Sequence, residues 1–154
     1  MNLSENFSLQ SMYKSTVALR NKIDNTPNAE QINNLQALCI NILQKIRDHY
    51  GVPVFVNSGF RNPEVNRLSK GSPTSEHCKG MAADIEITGV SNGDLAQWIL
   101  DNLKFTQVIL EFYTQGVPDS GWVHVSYDPS NLKCQALTAV EENGKTVYKP
   151  GLIK

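Results

Sequence analysis

A histidine and an aspartate stand seven residues apart in Ser75-Glu76-His77-Cys78-Lys79-Gly80-Met81-Ala82-Ala83-Asp84. An imidazole nitrogen and a carboxylate oxygen together suit zinc, and a third protein ligand leaves the fourth position open to water. The third candidate is His124, in Gly121-Trp122-Val123-His124-Val125-Ser126-Tyr127. Two histidines and one aspartate would also hold iron(II) in a facial arrangement. By spacing alone the signal is weak, because His-x6-Asp arises by chance in many chains, and a surface histidine with a capping aspartate is the plainer reading.

Four further residues carry possible chemistry. Arg61, in Ser58-Gly59-Phe60-Arg61-Asn62-Pro63, falls just past an expected strand end, a common place for working residues. Its planar fork of donors suits a carboxylate better than lysine would, although a surface salt bridge is the plainer use. Glu111 is the only charged residue in Gln107-Val108-Ile109-Leu110-Glu111-Phe112-Tyr113. A lone carboxylate in an apolar strand costs energy unless it has a partner. Asp119 lies in the turn-rich stretch after that strand. Cys78 adjoins His77, but neighbouring residues of an extended segment point apart.

The elements that must position these residues follow from periodicity. The run of small residues around Ala82 suits a loop turning into a strand, with His77 in the loop and Asp84 on the strand. Ala82, Asp84 and Glu86 then share one face, and Ala83, Ile85 and Ile87 the other. Trp122, His124 and Ser126 alternate with Val123, Val125 and Tyr127. Residues 114–121, with Gly116, Pro118, Asp119 and Gly121, close a hairpin between the two segments. If Tyr113 pairs with Trp122, Glu111 lies opposite His124 on the same face. A slip by one residue would reverse that face.

The text around the ligands carries a resemblance. Ser75-x-His77-x-x-Gly80-x-Ala82-x-Asp84, preceded by Ser58-Gly59-Phe60-Arg61 and followed by Trp122-x-His124, resembles the zinc D-Ala-D-Ala carboxypeptidase and peptidoglycan endopeptidase family. It looks closest to the compact single-domain members of phages and bacteria, with a hedgehog-like peptidase fold, and runs from about Asn6 to about Thr138. The resemblance implies zinc held by His77, Asp84 and His124, and Arg61 engaging substrate or stabilising negative charge. It implies a peptidoglycan stem peptide as substrate, cut at a bond involving a D-amino acid. It leaves open whether the enzyme is a carboxypeptidase, dipeptidase or endopeptidase, and it gives Cys78 no role.

The chain departs from the family pattern at the general base. Several relatives carry a glutamate three residues before the last histidine, where this chain has Gly121; others carry a histidine two before it, where this chain has Trp122. Glu111 is therefore the first candidate base and Asp119 the second. Glu111 could instead form a structural ion pair or hold a ligand histidine. Gly121 also favours a rival reading: a non-catalytic, zinc-stabilised cell-wall-binding or virion structural module.

The remaining residues frame the fold. Ile32, Leu35, Cys39, Ile42 and Ile46 recur at helical steps after Pro27, and Gly51 marks the stop. Val52 to Val56 reads as a buried strand, Pro63 to Leu68 as a helical turn, and the stretch from Ser91 or Asn92 to about Asn102 as a helix in which Trp98 packs. His49 falls at a helix end as a surface residue. Cys134 to Val140 and Lys145 to Tyr148 suit two strands turned at Asn143-Gly144, read as edge structure with no catalytic role. The expected fold is α+β: one domain over 1–154, helices packed on a mainly antiparallel sheet carrying a zinc site. Residues 1–27 form an N-terminal arm and 129–154 a C-terminal edge hairpin.

At 154 residues and net charge −1 the chain can bury a real core and has no basic field for nucleic acid or anionic membrane. The three cysteines are too few and uneven for a disulfide framework. There is no apolar run of about 18 residues and no signal-like N-terminus. A monomer made in the cytoplasm is expected, reaching a cell wall only after release if phage-encoded.

Overall fold

The helical repeat from Ile32 to Ile46 becomes one continuous rod in three joined pieces. The computed structural model describes residues 1–154. In it, α2 spans Ala29–Leu38, a π-helical turn Cys39–Leu43 follows, and α3 completes the rod over Gln44–Tyr50. Asn28 starts it with a capping box: its side chain accepts from Gln31 N, and the Gln31 side chain accepts from Asn28 N. Leu35, Leu38, Cys39, Ile42, Leu43 and Ile46 are all fully buried on one face.

That face packs on a six-stranded sheet. Its strands are β3 (Phe55–Ser58), β4 (Ala82–Glu86), β5 (Gln107–Glu111), β6 (Trp122–Ser126), β7 (Gln135–Glu142) and β8 (Lys145–Pro150). They lie in the order β3-β4-β6-β5-β7-β8. Every pair is antiparallel except β5–β7, because the chain leaves β6, crosses past the end of β5 and re-enters on its far side. The α+β fold with a mainly antiparallel sheet is thus as expected. Ala83, Ile85, Val108, Leu110, Val123 and Val125 bury the back of the sheet against the rod and against α5 (Asn92–Asn102). Ser91 caps α5 by accepting from Asp94 N. Trp98 on this helix packs against the core and stacks on His49, with ring centroids 4.4 Å apart.

The first strand of the sheet differs from expectation. Strand β3 begins at Phe55, not Val52, and it is not buried. It lies at the sheet edge with β4 as its sole partner, and Phe55 is exposed. Pro53 lacks a ladder donor, which suits it to the irregular lead-in rather than to a paired strand.

The N-terminal residues form more than a helical arm. Strands β1 (Asn2–Ser4) and β2 (Phe7–Ser8) pair, a 3-10 turn covers Gln10–Met12, and α1 is a short helix over Thr16–Arg20. Leu3, Phe7 and Met12 are buried in the main core. Met12 accepts a 2.7 Å hydrogen bond from Phe60 N, and a Cβ on Gly59 would collide with the Met12 backbone. Only glycine lets the segment that leads to Arg61 lie this close to the arm.

Candidate metal centre and active-site cleft

Each member of the histidine–aspartate cluster comes from a different local device. His77 rides on a 3-10 turn, Glu76–Lys79, capped by the Ser75 hydroxyl, which accepts from His77 N at 3.2 Å. Helix α4 (Pro63–Leu68) and residues 69–75 lead into that turn. Asp84 projects from the centre of β4. His124 projects from β6 directly opposite Asp84, and Ala83, Ile85, Val123 and Val125 hold the register by burying the other face.

The three side chains converge. The metal-binding atoms of His77, Asp84 and His124 all lie within 4.8 Å of one another, so the cluster can hold a metal ion. Asp84 Oδ1 sits 3.3 Å from His77 Nε2 and 3.1 Å from His124 Nδ1. On its other side, the His77 ring meets Gly59 O at 2.7 Å through Nδ1. A proton on Nδ1 donated to that carbonyl leaves the Nε2 lone pair facing Asp84, the tautomer a metal ligand requires. Two imidazole nitrogens and one carboxylate oxygen fit zinc. Cys78 is outside the cluster, and all three cysteines are free.

Charge at the centre is set by burial and by the cluster itself. Burial pushes the Asp84 carboxyl up, but hydrogen bonds from His124 and His77 and their charges outweigh it and hold the group below the usual range. Burial also acts to lower His124; the Asp84 hydrogen bond and charge, aided by Glu111, win and raise it. For His77 burial prevails, and its pKa falls. Of the two imidazoles, His124 is therefore the one that holds a proton more readily, beside the Asp84 carboxylate.

Glu111 faces the same side of the sheet, by a different register from the expected one. Glu111 pairs with Trp122, and Ile109 pairs with His124. The strands are shifted by two residues relative to the expected pairing of Tyr113 with Trp122. Side chains alternate with period two, so an even shift keeps the face. Glu111 becomes a diagonal neighbour of His124, at about 7–8 Å between backbone positions, instead of its direct partner. Its carboxyl is pushed up to about 7, first by burial and next by the Asp84 charge; His124, Trp122 and Arg61 pull the other way. The Trp122 indole Nε1 lies near enough to favour the carboxylate but has no partner at hydrogen-bonding distance.

Gly121 explains why no side chain arises from the position three before His124. Its φ is +63°, and a Cβ there would run into the Glu111 carbonyl and the Phe112 backbone. The hairpin end is closed too tightly for any side chain. Gly121→Glu is expected to destabilise the fold by about 2 kcal/mol or more, from left-handed strain plus the clash. Urea unfolding of the variant checks this; wild-type stability would mean that the hairpin has room.

The remaining candidates separate. Arg61 lines the cleft: its Nη1 donates to Ser58 Oγ at 3.3 Å, while its buried Nε has no partner. Asp119 lines a second cleft with Phe55, Asn57, Glu86 and Asn92, away from the cluster. Glu86 is occupied there, accepting from Asn57 Nδ2 at 2.7 Å and from Asn92 Nδ2 at 3.3 Å. Sequence reasoning missed two sets of cleft residues. Residues 69–75 form one wall, and Gln135, Leu137, Thr146 and Tyr148 of the C-terminal strands form another, around a cleft of about 720 Å³. The alternation of the last two strands marked their faces, but nothing local says that β7 docks beside β5.

A family model described as Peptidase M15 matches residues 5–126, which include His77, Asp84, His124, Arg61 and Glu111. The chain belongs to the peptidase M15 family. No curated protein matches it. M15 peptidases are zinc-dependent, so this M15 chain is a zinc metallopeptidase with a His-Asp-His cluster able to take the ion. The M15 match ends at Ser126, and strands β7 and β8 lie beyond it. No helix is long and apolar enough to cross a membrane.

Proposed function

We propose that this M15 peptidase hydrolyses peptidoglycan stem peptides at a bond involving a D-amino acid, with His77, Asp84 and His124 as its zinc ligands and Glu111 as general base. One observation carries the catalytic reading. Glu111 is a half-buried carboxylate with no ion-pair partner, raised to about 7 and turned toward the face that bears the cluster. A base poised near neutrality both accepts and returns a proton readily. The substrate reading rests on the Ser75-to-Asp84 motif and Trp122-x-His124.

Zinc, when bound, supplies Lewis acidity to polarise the scissile carbonyl and activate water. The chain's own residues do the rest. Glu111 takes a proton from the attacking water and returns it to the leaving amine. Arg61, which lines the cleft, grips a substrate carboxylate or carbonyl oxygen and stabilises negative charge as it develops. Burial and the Asp84 charge keep the Glu111 pKa high. The His77–Gly59 contact keeps one imidazole in its ligating tautomer.

The proton on His124 must leave before that nitrogen can bind a metal. Because its pKa is raised above 6.5 while that of His77 is lowered, zinc binding near pH 6 is expected to release about one proton per ion. Affinity should then climb with pH until His124 is neutral. Calorimetry in buffers of differing ionisation enthalpy measures the number directly; no released proton would contradict the assignment of His124.

The rival reading, a zinc-stabilised module without turnover, draws on Gly121. A carboxylate raised to about 7 on the cluster's face speaks against it. Digestion of purified Gram-negative and Gram-positive peptidoglycan, with and without zinc, decides between the two when products are identified by mass spectrometry. Zinc-dependent cleavage also names the bond. No product from a folded, zinc-loaded chain would favour the binding module.

A further inference from the structure

The sheet face that carries the metal cluster continues past it. Across the strands, His124 on β6 pairs with Ile109 on β5, which pairs with Leu137 on β7. One row further along, Trp122 pairs with Glu111, Glu111 with Ala139, and Ala139 with Tyr148 on β8. One row back, Gln107 pairs with Gln135, and their side chains share a 2.7 Å hydrogen bond. The face therefore has an apolar floor of Ile109 and Leu137. Glu111 and Tyr148 stand along one margin, and the paired glutamines along the other. Ala139, fully buried, is the small residue between Glu111 and Tyr148. The Tyr148 ring is 55% exposed, yet Glu111 and Asp84 are near enough for their charges to act on its phenol.

We infer that strands β7 and β8 extend the catalytic cleft into an elongated peptide subsite on one side of the scissile bond, with Tyr148 at its far end. The inference rests on the peptidase reading above. Three strand spacings separate β6 from β8, about 14 Å at about 4.8 Å each. An extended peptide rises about 3.3 Å per residue, so the groove accommodates about four residues. Without β7 and β8 the floor would stop at β5, and the substrate would meet solvent one residue or so beyond the metal. The floor suits small apolar side chains. The glutamine pair offers an amide hydrogen and carbonyl oxygens to a peptide backbone, and the phenol both donates and accepts. Both strands follow the span matched by the family model, which ends at Ser126.

Synthetic stem peptides test the subsite. One scissile bond is kept while the peptide is lengthened by single residues, first on one side and then on the other. The zinc-loaded full chain is expected to show kcat/KM rising with length on one side only, by about tenfold or more, and levelling near the fourth residue. In Tyr148→Ala most of that rise should vanish, and Tyr148→Phe should keep the share due to the ring. Calorimetric binding of the same peptides to zinc-loaded Glu111→Gln should tighten with length in parallel, a readout independent of turnover. A flat profile on both sides, or an equal rise in wild type and Tyr148→Ala, overturns the subsite and leaves the peptidase reading standing. No cleavage of any peptide by a chain holding stoichiometric zinc removes the peptidase reading, and the subsite falls with it.

Discussion

Glu111→Gln is expected to keep its zinc and to lose at least about a hundredfold in kcat, the usual scale for removing a general base. The substitution preserves shape and removes only the ability to take a proton. KM should change little, because Glu111 acts on the water and the leaving amine and does not grip the substrate. Wild-type kcat with full zinc would hand the role to another group; Asp119, in the other cleft, is badly placed to take it.

The same variant has a second signature in the metal-free protein. The folded pKa of Glu111 is raised to about 7 from 4.5, so the fold prefers its neutral form. That preference stabilises wild type at low pH and is lost as pH rises from 4.5 through about 7. Glutamine does not titrate. The melting temperature of Glu111→Gln relative to wild type should therefore increase over that window and level off above it. A difference that is independent of pH would mean that Glu111 is not held near neutrality by its site. A functional carboxylate that costs stability is what a base kept free of ion pairs requires.

Asp84→Ala and His77→Ala are each expected to abolish stoichiometric zinc and, with it, turnover. Asp84 is the more consequential, because Oδ1 contacts both imidazoles at 3.3 and 3.1 Å. Its removal takes away one proposed ligand and the anchor of the other two. It also unbalances the charge: without the carboxylate, buried His124 loses the main cause of its raised pKa. Metal analysis of purified variants gives the answer, and circular dichroism separates loss of the site from loss of the fold. Full zinc in both variants would place the metal elsewhere. His77 retains a separate tie to Gly59, so the ring is expected to stay ordered when Asp84 is cut.

What the chain states in one dimension is the chemistry and the alternation. The residues around Asp84 and His124 read as strands with polar and apolar faces because period two is a local property, and buried Ala83, Ile85, Val123 and Val125 then force the polar face outward. The helical rod was legible for the same reason, in Leu35, Cys39, Ile42 and Ile46. Glu111 stood out as a lone charge in an apolar run. Each of these follows from neighbours within a few residues.

Everything that depended on distant segments had to await the fold. The shift of Glu111 from opposite His124 to its diagonal came from how tightly residues 112–121 close the hairpin, and Gly121 sits where that closure leaves no room for a Cβ. Phe55 and its neighbours read as a buried strand because their composition is apolar, but strand order, which composition does not encode, put them at an edge. Asp119 looked close to the site along the chain, and the turn carried it to another cleft. The C-terminal strands read as a plain edge hairpin; parallel pairing with β5 brought Leu137 and Tyr148 into the cleft. Side-chain alternation is set residue by residue, whereas register, strand order and cleft walls are set by loop closure and packing between segments far apart in sequence. The sequence by itself determined which groups could do the chemistry, and the tertiary structure decided which of them meet.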